Sequence, residues 1–300
     1  MEVFSLFGFI LGSILGSFVK ALADRAVTNR AFWGRSYCEF CKRKLAWYDL
    51  FPVFSYLFLQ GKCRYCKQKL SLEYLLVEVL MGFSVALLFY ITFNSNFFSS
   101  PILFQVILAL EALFKVFVIS VLVALVLTDL KIGLIPDRIT YPAIAFSIAY
   151  LLVITLTKIG VLYLSLSQTG IGRYLLPPHS DYFTRHALLN ALPLVQGLFS
   201  ALTIALFFGG LIFFTRGKGM GGGDLKLGIF LGLALGFPDS FLAIILAFLA
   251  GSIVGVLLLL SGKKHFGQTI PFGPFLALGG LLSLFWGTKL IEGYFKFKLF

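Results

Sequence analysis

Eight long runs of apolar residues divide the chain, and the segments between them hold most of its charged residues. The runs are Val3–Val19, Leu75–Phe93, Ile102–Thr128, Ile139–Thr157, Leu194–Phe214, Leu225–Phe237, Phe241–Leu260 and Phe272–Trp286. A backbone in lipid has no water to satisfy its N–H and C=O groups, so a spanning segment must pair them internally. Because no run shows the alternation of a barrel strand, the pattern predicts an all-α polytopic membrane protein with about eight transmembrane helices.

The sixth and eighth runs are short for a bilayer span. Leu225–Phe237 has 13 residues, which make a helix of about 20 Å against a hydrocarbon core of about 30 Å. We therefore expect this helix to cross part of the bilayer.

Composition supports the membrane assignment and the charge distribution adds an orientation. Of the 300 residues, 59% are hydrophobic and 13% are charged, whereas a soluble domain has about 25% charged residues, so a soluble single domain is excluded. If the runs alternate sides, the segments on one side hold sixteen Lys and Arg residues and those on the other hold six. The positive-inside rule puts the richer side in the cytoplasm and both termini outside. Anionic lipid headgroups then account for the net charge of +12, and no nucleic-acid partner is expected.

The first run also resembles a secretory signal peptide, because Ala21-Leu22-Ala23 looks like a small-residue cleavage site. A signal peptide carries its cations before the apolar run, whereas this chain has Glu2 there and its cations follow. We expect an uncleaved helix.

Four cysteines form two Cys-x-x-Cys pairs in the longest polar stretch, residues 20–74. The pairs are Cys38/Cys41 and Cys63/Cys66, with 21 residues between them. Four thiolates at this spacing suit a tetrahedral zinc site, which is structural because it leaves no position for water. Two disulfides are the alternative, and a reducing cytoplasm favours zinc.

The cysteine stretch separates two membrane regions. We predict a first transmembrane helix at residues 1–22, a cytoplasmic zinc subdomain at residues 23–72 and a helical membrane domain at residues 73–300. The subdomain is too short to build a core of its own, so the metal would hold it together.

Few carboxylates lie in or beside the apolar runs, and four stand out: Glu78, Glu111, Asp129 and Asp224. Glu111 lies four residues before Lys115, so an ion pair on one helix explains both. Glu78 lies one turn into its run, where a basic loop residue or a backbone donor would meet it.

Asp129 and Asp224 both lie at cytoplasmic ends of predicted helices. Asp129 directly follows an apolar run, and Asp224 follows Gly221-Gly222-Gly223, which allow close backbone approach and positive φ. Taken singly, an interfacial helix end and an N-cap would explain them. Together they suit amide hydrolysis, in which one carboxylate activates water while the other, protonated, polarises the carbonyl.

These segments resemble the bacterial type IV prepilin peptidases, which are GxGD intramembrane aspartyl proteases. The resemblance runs nearly end to end and rests on Gly16-Ser17-Phe18, Arg35-Ser36, the two cysteine pairs, Trp47-Tyr48-Asp49-Leu50-Phe51-Pro52, Ser55-Tyr56-Leu57, Gly61-Lys62, Tyr74, Glu78, Asp129, Ile135-Pro136-Asp137, Met220-Gly221-Gly222-Gly223-Asp224-Leu225-Lys226-Leu227 and Pro271-Phe272-Gly273-Pro274-Phe275. The combination in this order is highly specific, although each motif alone is weak.

The resemblance implies two activities and their residues. Members cut the leader from type IV prepilins or type II secretion pseudopilins at the cytoplasmic face of the inner membrane, and many then methylate the new N-terminal amine with S-adenosylmethionine. The catalytic pair of the family corresponds to Asp129 and Asp224. The matching motifs also contain Pro136, Gly221, Gly223 and Lys226.

The chain departs from the family pattern at three places. Val19-Lys20 stands where Leu-Asn is usual, Tyr37 stands where proline is common, and the outer loop Lys158–Asn190 looks expanded. A peptidase without methyltransferase activity is therefore an alternative. A transporter or assembly component is a second, which the position of both acids at one membrane rim disfavours.

The helix dipoles suggest a division of labour between the two acids. A helix N-terminus favours the ionised form of Asp224, and a C-terminus favours the protonated form of Asp129. Asp224 is then the initial base and Asp129 the acid, although Lys131 or Lys226 would be able to reverse this assignment.

Overall fold

The computed structural model describes residues 2–28, 30–32, 34–38, 40–93, 97–98, 100–217, 219–262 and 270–298. Of the cations in the charge count, Lys218, Lys263 and Lys264 lie outside these residues. Within them the regular elements are helices, namely α1 (Glu2–Val27), a 3₁₀ helix (Trp47–Leu50), α2 (Phe54–Phe58), α3 (Leu72–Thr92), α4 (Ile102–Ile132), α5 (Asp137–Ser167), α6 (Gly170–Arg173), α7 (Tyr182–Thr215), α8 (Gly222–Leu235), α9 (Asp239–Leu260) and α10 (Gly273–Lys298).

The eight predicted apolar helices are present, and the all-α fold class is confirmed. Seven of those described are long and apolar enough to cross a membrane: α1, α3, α4, α5, α7, α9 and α10. The eighth, α8, has 14 residues and a length of about 21 Å, which is less than the bilayer core of about 30 Å. The short sixth run is therefore a short helix, as predicted.

Several helices extend beyond their apolar runs. The predicted outer loop Lys158–Asn190 is wrong, because α5 continues to Ser167 and α7 begins at Tyr182. The eighth run is likewise not short as a helix, since α10 has 26 residues. An apolar run marks only the part of a helix that lipid surrounds. The helix itself extends further, because its backbone hydrogen bonds continue through residues with polar side chains.

The chain divides into two compact units. The first comprises residues 1–99 and 112–139, and the second comprises residues 100–111 and 140–300. In the first unit α1 packs against α3 through glycines spaced by four: Gly8, Gly12 and Gly16. A Cβ on Gly12 would lie 2.5 Å from the carbonyl oxygen of Met81. Small residues let the two backbones approach, as is common between membrane helices.

In the second unit α8 packs against α7, α9 and α10. Gly232 of α8 lies against α7, where an added Cβ would be 2.7 Å from the Cα of Ala201. Leu233 is buried with Ala201 and with Leu151 of α5. Close packing on several sides fixes this short helix, which carries Asp224 in its first turn.

Candidate active site and metal centre

The two cysteine pairs lie in turns of the same shape. The Cys38 N–H donates to the carbonyl of Arg43 at 3.0 Å, and the Lys42 N–H donates to the carbonyl of Cys38 at 2.9 Å. The turn at Cys63 repeats both bonds at the equivalent positions. Lys42 and Lys67 have φ of 58° and 61°, the left-handed conformation that reverses the chain after each pair.

The two turns bring all four sulfur atoms together. Their Sγ atoms lie within 4.8 Å of one another, the Cys38 and Cys66 Sγ atoms are 3.9 Å apart, and all four thiols are free. Zinc bonds of about 2.3 Å in a tetrahedron separate the sulfur atoms by about 3.8 Å. The cluster therefore fits one zinc ion, and no disulfide joins these four cysteines in this structure.

The surroundings of the cluster prepare one thiol for ionisation. Burial alone would raise the pKa of Cys63, but backbone N–H groups of Cys66 and Tyr65 and the neighbouring sulfur atoms lower it to about 7. The Gln68 N–H would lower the pKa of Cys66, but burial and the adjacent thiols raise it to about 11. A second thiolate beside the first is unfavourable unless a cation offsets the charge.

Asp49 ties the 3₁₀ helix to the second cysteine turn. It accepts hydrogen bonds from Arg64 Nε at 2.7 Å, Tyr65 Oη at 2.8 Å and the Ala46 N–H at 3.1 Å. Burial alone would raise the pKa of Asp49, but these donors lower it. Asp49 belongs to a motif on which the family resemblance rests, but its position in the sequence does not indicate that Arg64 and Tyr65 bind it.

Glu78 connects three parts of the first unit. One carboxylate oxygen accepts the Val53 N–H at 2.7 Å, and the other accepts the hydroxyl of Ser17 on α1. Val53 has φ of 61°, an unfavourable conformation for a β-branched residue. The expected backbone donor is thus present, and Glu78 anchors the cysteine subdomain to α1 and α3.

An ionic network around the buried Lys20 lies where α1, α3 and α4 meet. Lys20 Nζ lies 2.9 Å from Asp24 Oδ1 and 3.0 Å from Glu73 Oε2. Lys131 Nζ lies 2.7 Å from Asp24 and 3.2 Å from Glu73. Lys20 is the departure from the family pattern noted above, and it is buried with two carboxylates around it. The sequence gives no signal for this network, because Asp24 and Lys131 are far apart along the chain.

Glu111 pairs with a different lysine from the one predicted. Among the described residues, Lys158 Nζ of α5 lies 2.7 Å from Glu111 Oε1. The predicted pair with Lys115 on the same helix is wrong, because a cation on the neighbouring helix reaches the carboxylate. The ion pair satisfies both charges without a catalytic role.

Asp129 lies in the last turn of α4 and is 5% exposed. Its carbonyl accepts the Gly133 N–H at 2.8 Å, and Gly133 has φ of 63°, which ends the helix. Pro136 follows in the turn, and its carbonyl accepts the Ile139 N–H at 3.1 Å at the start of α5. Asp129 is therefore a buried carboxylate in the last turn of its helix.

Asp224 is the third residue of α8. Its N–H donates to the carbonyl of the N-cap residue, Gly221, at 3.2 Å, and the cap makes no side-chain hydrogen bond. The alternative that Asp224 is itself the N-cap is therefore wrong. Gly221 has φ of −84°, so the small size of Gly221, Gly222 and Gly223, and not positive φ, distinguishes this run. Gly221 and Gly222 are exposed, which leaves the helix end accessible.

Lys226 lies one turn above the glycine run. Its Nζ is 4.9 Å from the centroid of the Tyr141 ring on α5, a cation–π contact. The contact helps to fix the start of α8 against α5 within the second unit.

The structure brings together the four cysteines and describes the two aspartates in separate units. Asp129 belongs to the first unit and Asp224 to the second. Each lies at the predicted end of its helix, within the last turn of α4 and the first turn of α8. Their pairing as a catalytic dyad stays a prediction.

Two family models match the chain in the order of these features. The bacterial peptidase A24 N-terminal domain matches residues 10–92, which contain the cysteine cluster and Glu78. The type IV leader peptidase family matches residues 116–256, which contain both aspartates. The chain belongs to the type IV leader peptidase family. Similar proteins support this membership over almost the whole chain.

The matching relatives are named prepilin leader peptidase/N-methyltransferase. The protein from Bacillus subtilis is 30% identical over 292 residues, covering 97% of this chain and 98% of the relative. Those from Xanthomonas campestris and Aeromonas hydrophila are both 29% identical, cover 85% and 87% of this chain, and match over 73% and 74% of their own lengths. No solved structure matches the chain.

Proposed function

We propose that the chain is a membrane aspartyl endopeptidase that removes the leader from type IV prepilins or type II secretion pseudopilins. It then methylates the new N-terminal amine with S-adenosylmethionine. The cut lies at the cytoplasmic face of the inner membrane in this proposal, with both termini outside.

One observation carries the proposal: a prepilin leader peptidase/N-methyltransferase aligns with 97% of this chain. The positions of the carboxylates support Asp129 and Asp224 as the catalytic pair. Asp129 lies at the polar end of the long helix α4, and Asp224 lies at the polar end of the short helix α8. The bond to be cut in a prepilin lies at a similar boundary, where a polar leader meets an apolar helix.

The proposed cut is a hydrolysis in two steps. Asp224, ionised near the α8 N-terminus, takes a proton from water as the water oxygen attacks the scissile carbonyl carbon. Asp129, protonated near the α4 C-terminus, donates to the carbonyl oxygen. Collapse of the tetrahedral intermediate breaks the C–N bond. Asp224 gives the leaving amine the proton it took from water, and Asp129 recovers a proton from a hydroxyl of the intermediate. The products are the leader carboxylate and a free N-terminus on the pilin.

Zinc and the methyl donor have different roles in the proposal. The four cysteines would hold zinc as a closed structural site, since four thiolates complete its tetrahedron. S-adenosylmethionine would supply the methyl group after the cut. This chain's contribution to that second reaction includes producing the free amine that accepts the methyl group.

Purified protein and a prepilin with its apolar helix test the proposal. We expect mass spectrometry to show a pilin that has lost its leader and gained one methyl group when the methyl donor is present. Asp129→Asn and Asp224→Asn should each abolish cleavage while the melting temperature stays near that of the wild type. Asp181→Asn, which changes an exposed aspartate, is the matched control.

Each alternative function predicts a different mass spectrum of the pilin. Cleavage without a methyl group supports a peptidase without the second activity, for which the Lys20 departure is the sequence argument. Full cleavage by both aspartate variants would refute the dyad. An intact prepilin with the wild-type protein would refute the proposed peptidase itself.

A further inference from the structure

The cysteine subdomain has an exposed row of large apolar side chains, which we call the aromatic ridge. It consists of five residues on the 3₁₀ helix, α2 and the turn between them, each exposed by more than half: Trp47, Phe51, Phe54, Leu57 and Phe58. Phe58 is 86% exposed and Trp47 is 75% exposed. A patch of this kind on a segment that does not span the membrane marks an interaction surface.

We propose that the aromatic ridge docks into the lipid interface of the membrane that α1 and α3 cross. The occupant is phospholipid at the boundary between headgroups and acyl chains. Three observations within the first unit carry the proposal: the depth of the ridge along α3, the charge around it, and the polar contacts behind it.

Glu78 fixes the depth of the ridge. α3 has 21 residues and a length of about 31 Å, close to the hydrocarbon core of about 30 Å. Glu78, six residues after Leu72, lies about 9 Å along the helix. It accepts the N–H of Val53, the residue directly before α2. The start of α2 therefore lies beside the membrane span and not beyond its end.

The ionic network marks the membrane boundary independently. Lys20, Asp24, Glu73 and Lys131 gather at the end of α3 where Glu73 lies in the first turn. Charged groups avoid hydrocarbon, so this level belongs to the polar interface. Glu78 lies five residues deeper along α3, about 7 Å further. The N-cap of α2 lies at that depth, and the proposal puts this depth at the boundary between headgroups and acyl chains.

The charge of the subdomain suits anionic headgroups. Residues 30–71 carry nine Lys and Arg residues against two acidic residues. Trp, Tyr and Phe beside basic residues are typical of segments that lie in a membrane interface. Arg64 also lines, with Tyr48, Phe51, Phe54, Ser55 and Phe58, an open groove of about 600 Å³. A headgroup phosphate in this groove would face the guanidinium while its acyl chain followed the ring faces.

Hydrogen bonds hold the 3₁₀ helix and α2 in this orientation. Asp49 binds Arg64 and Tyr65, and its carbonyl accepts the Ser55 hydroxyl at 2.8 Å. The Tyr56 hydroxyl donates to the carbonyl of Leu70 at 3.3 Å. Asp49, Ser55 and Tyr56 are thus engaged inside the subdomain while its large apolar groups remain outside.

Tryptophan quenching in vesicles tests the proposal with the full chain. The variant Trp33→Phe/Trp286→Phe leaves Trp47 as the single tryptophan. It is reconstituted in vesicles of phosphatidylcholine and phosphatidylglycerol, with or without bromine on the acyl chains. Trp33→Phe/Trp47→Phe, which leaves Trp286 in the α10 span, is the control for a membrane-embedded tryptophan.

We expect brominated lipid to quench Trp47 strongly, most with bromine near the headgroup end of the chain. Aqueous acrylamide should quench it at least about threefold less than free tryptophan, as an interfacial ring requires. The variant Trp33→Phe/Trp47→Phe/Trp286→Phe/Phe58→Trp places the probe on α2 and should give the same result, so a local disturbance at Trp47 does not decide the outcome.

Two other outcomes would overturn the proposal. Quenching of both probes by acrylamide and not by brominated lipid would put the ridge in water. If a prepilin then removed the acrylamide quenching, the ridge would be a surface for a protein helix. Quenching by neither reagent would mean that the ridge is covered by protein. None of these results depends on peptidase activity.

Discussion

Two oxygens of one carboxylate hold the cysteine subdomain against the membrane helices. Glu78 accepts the Val53 N–H and the Ser17 hydroxyl. We expect Glu78→Ala to lower the free energy of unfolding by about 1–3 kcal/mol, because it leaves a partly buried backbone donor unsatisfied. Glu78→Gln keeps one acceptor oxygen and should lower the free energy of unfolding by less. Thermal unfolding in detergent checks this order, with Glu2→Gln at an exposed position as the control. Equal melting temperatures for the alanine and wild-type proteins would contradict it.

Asp49 gives the subdomain a stability that depends on pH. Burial would raise its pKa, but hydrogen bonds from Arg64, Tyr65 and Ala46 lower it. The contribution is therefore complete above the unfolded-state pKa of about 3.9 and is lost as the pH falls through the lower folded-state value. Asp49→Asn should be less stable than the wild type at neutral pH, and the difference should narrow below about pH 4.

Thermal unfolding across this pH range measures that difference, and Trp47 fluorescence follows it when both proteins also carry Trp33→Phe/Trp286→Phe. Thiolates gain protons and release zinc over the same pH range, so the zinc content is measured at each pH and the two proteins are compared at equal zinc content. A difference that stays constant down to pH 3 would show that the carboxylate charge does not contribute.

Individual residues differ in how far the sequence predicts them. The four cysteines were predictable because their spacing fixes both ligand number and geometry. The partner of Glu78 is a backbone N–H in an unusual conformation, which no residue type encodes. The network of Lys20, Asp24, Glu73 and Lys131 was missed because it forms across three helices.

Close packing holds the short helix that carries Asp224. An added Cβ on Gly232 would lie 2.7 Å from the Cα of Ala201, whereas one on Gly209 of α7 would meet nothing within 4 Å. We expect Gly232→Ala to force α8 away from α7, to lower the melting temperature and to reduce cleavage about tenfold or more, since small displacements of a catalytic group are costly.

Gly209→Ala is the matched control for this helix. It should leave cleavage unchanged and keep or raise the melting temperature, because alanine favours the helix where space is open. Each variant adds one methyl group to the wild-type protein. A loss of cleavage in both would therefore show that packing of α8 against α7 is not the cause.

Hydropathy locates these elements but not their ends. The run Val3–Val19 belongs to a helix that continues to Val27, and the polar segment before Leu194 is helical from Tyr182. Lipid selects apolar side chains over about 30 Å. Beyond that distance the helix continues with polar residues, which carry no periodic signal strong enough to separate them from a loop.

In the proposal, zinc would stabilise one part of the molecule, the cysteine subdomain. We expect one zinc ion per purified chain and its loss in Cys63→Ser, because the remaining thiolates leave the tetrahedron incomplete. Residues 28–71 should then become sensitive to trypsin while the spans stay protected by detergent. Metal analysis and mass spectrometry of the fragments measure both effects. Ser36→Ala, beside the cluster, should keep the metal, and a zinc-free wild-type protein resistant to trypsin would contradict the prediction.

The sequence predicts the helix end at which each aspartate lies, but it does not predict the distance between the two carboxylates. A motif fixes each acid within its own helix, Asp129 in α4 and Asp224 in α8. Ninety-five positions separate them, and the two helices belong to different compact units over this part of the chain. The dyad thus depends on the family resemblance and on the activity of the two asparagine variants.

The excess of cations on one side predicts the orientation in the membrane. With sixteen Lys and Arg residues on the cytoplasmic side and six outside, the positive-inside rule puts Gln168 outside and Gly219 inside. Both residues are exposed. In intact cells an impermeant maleimide should therefore label Gln168→Cys. It should label Gly219→Cys only after the cells are permeabilised. The parent protein, whose four cysteines lie in the cytoplasmic cluster in this topology, should stay unlabelled in intact cells. Labelling of Gly219→Cys without permeabilisation would reverse the orientation and move the proposed cut to the outer face.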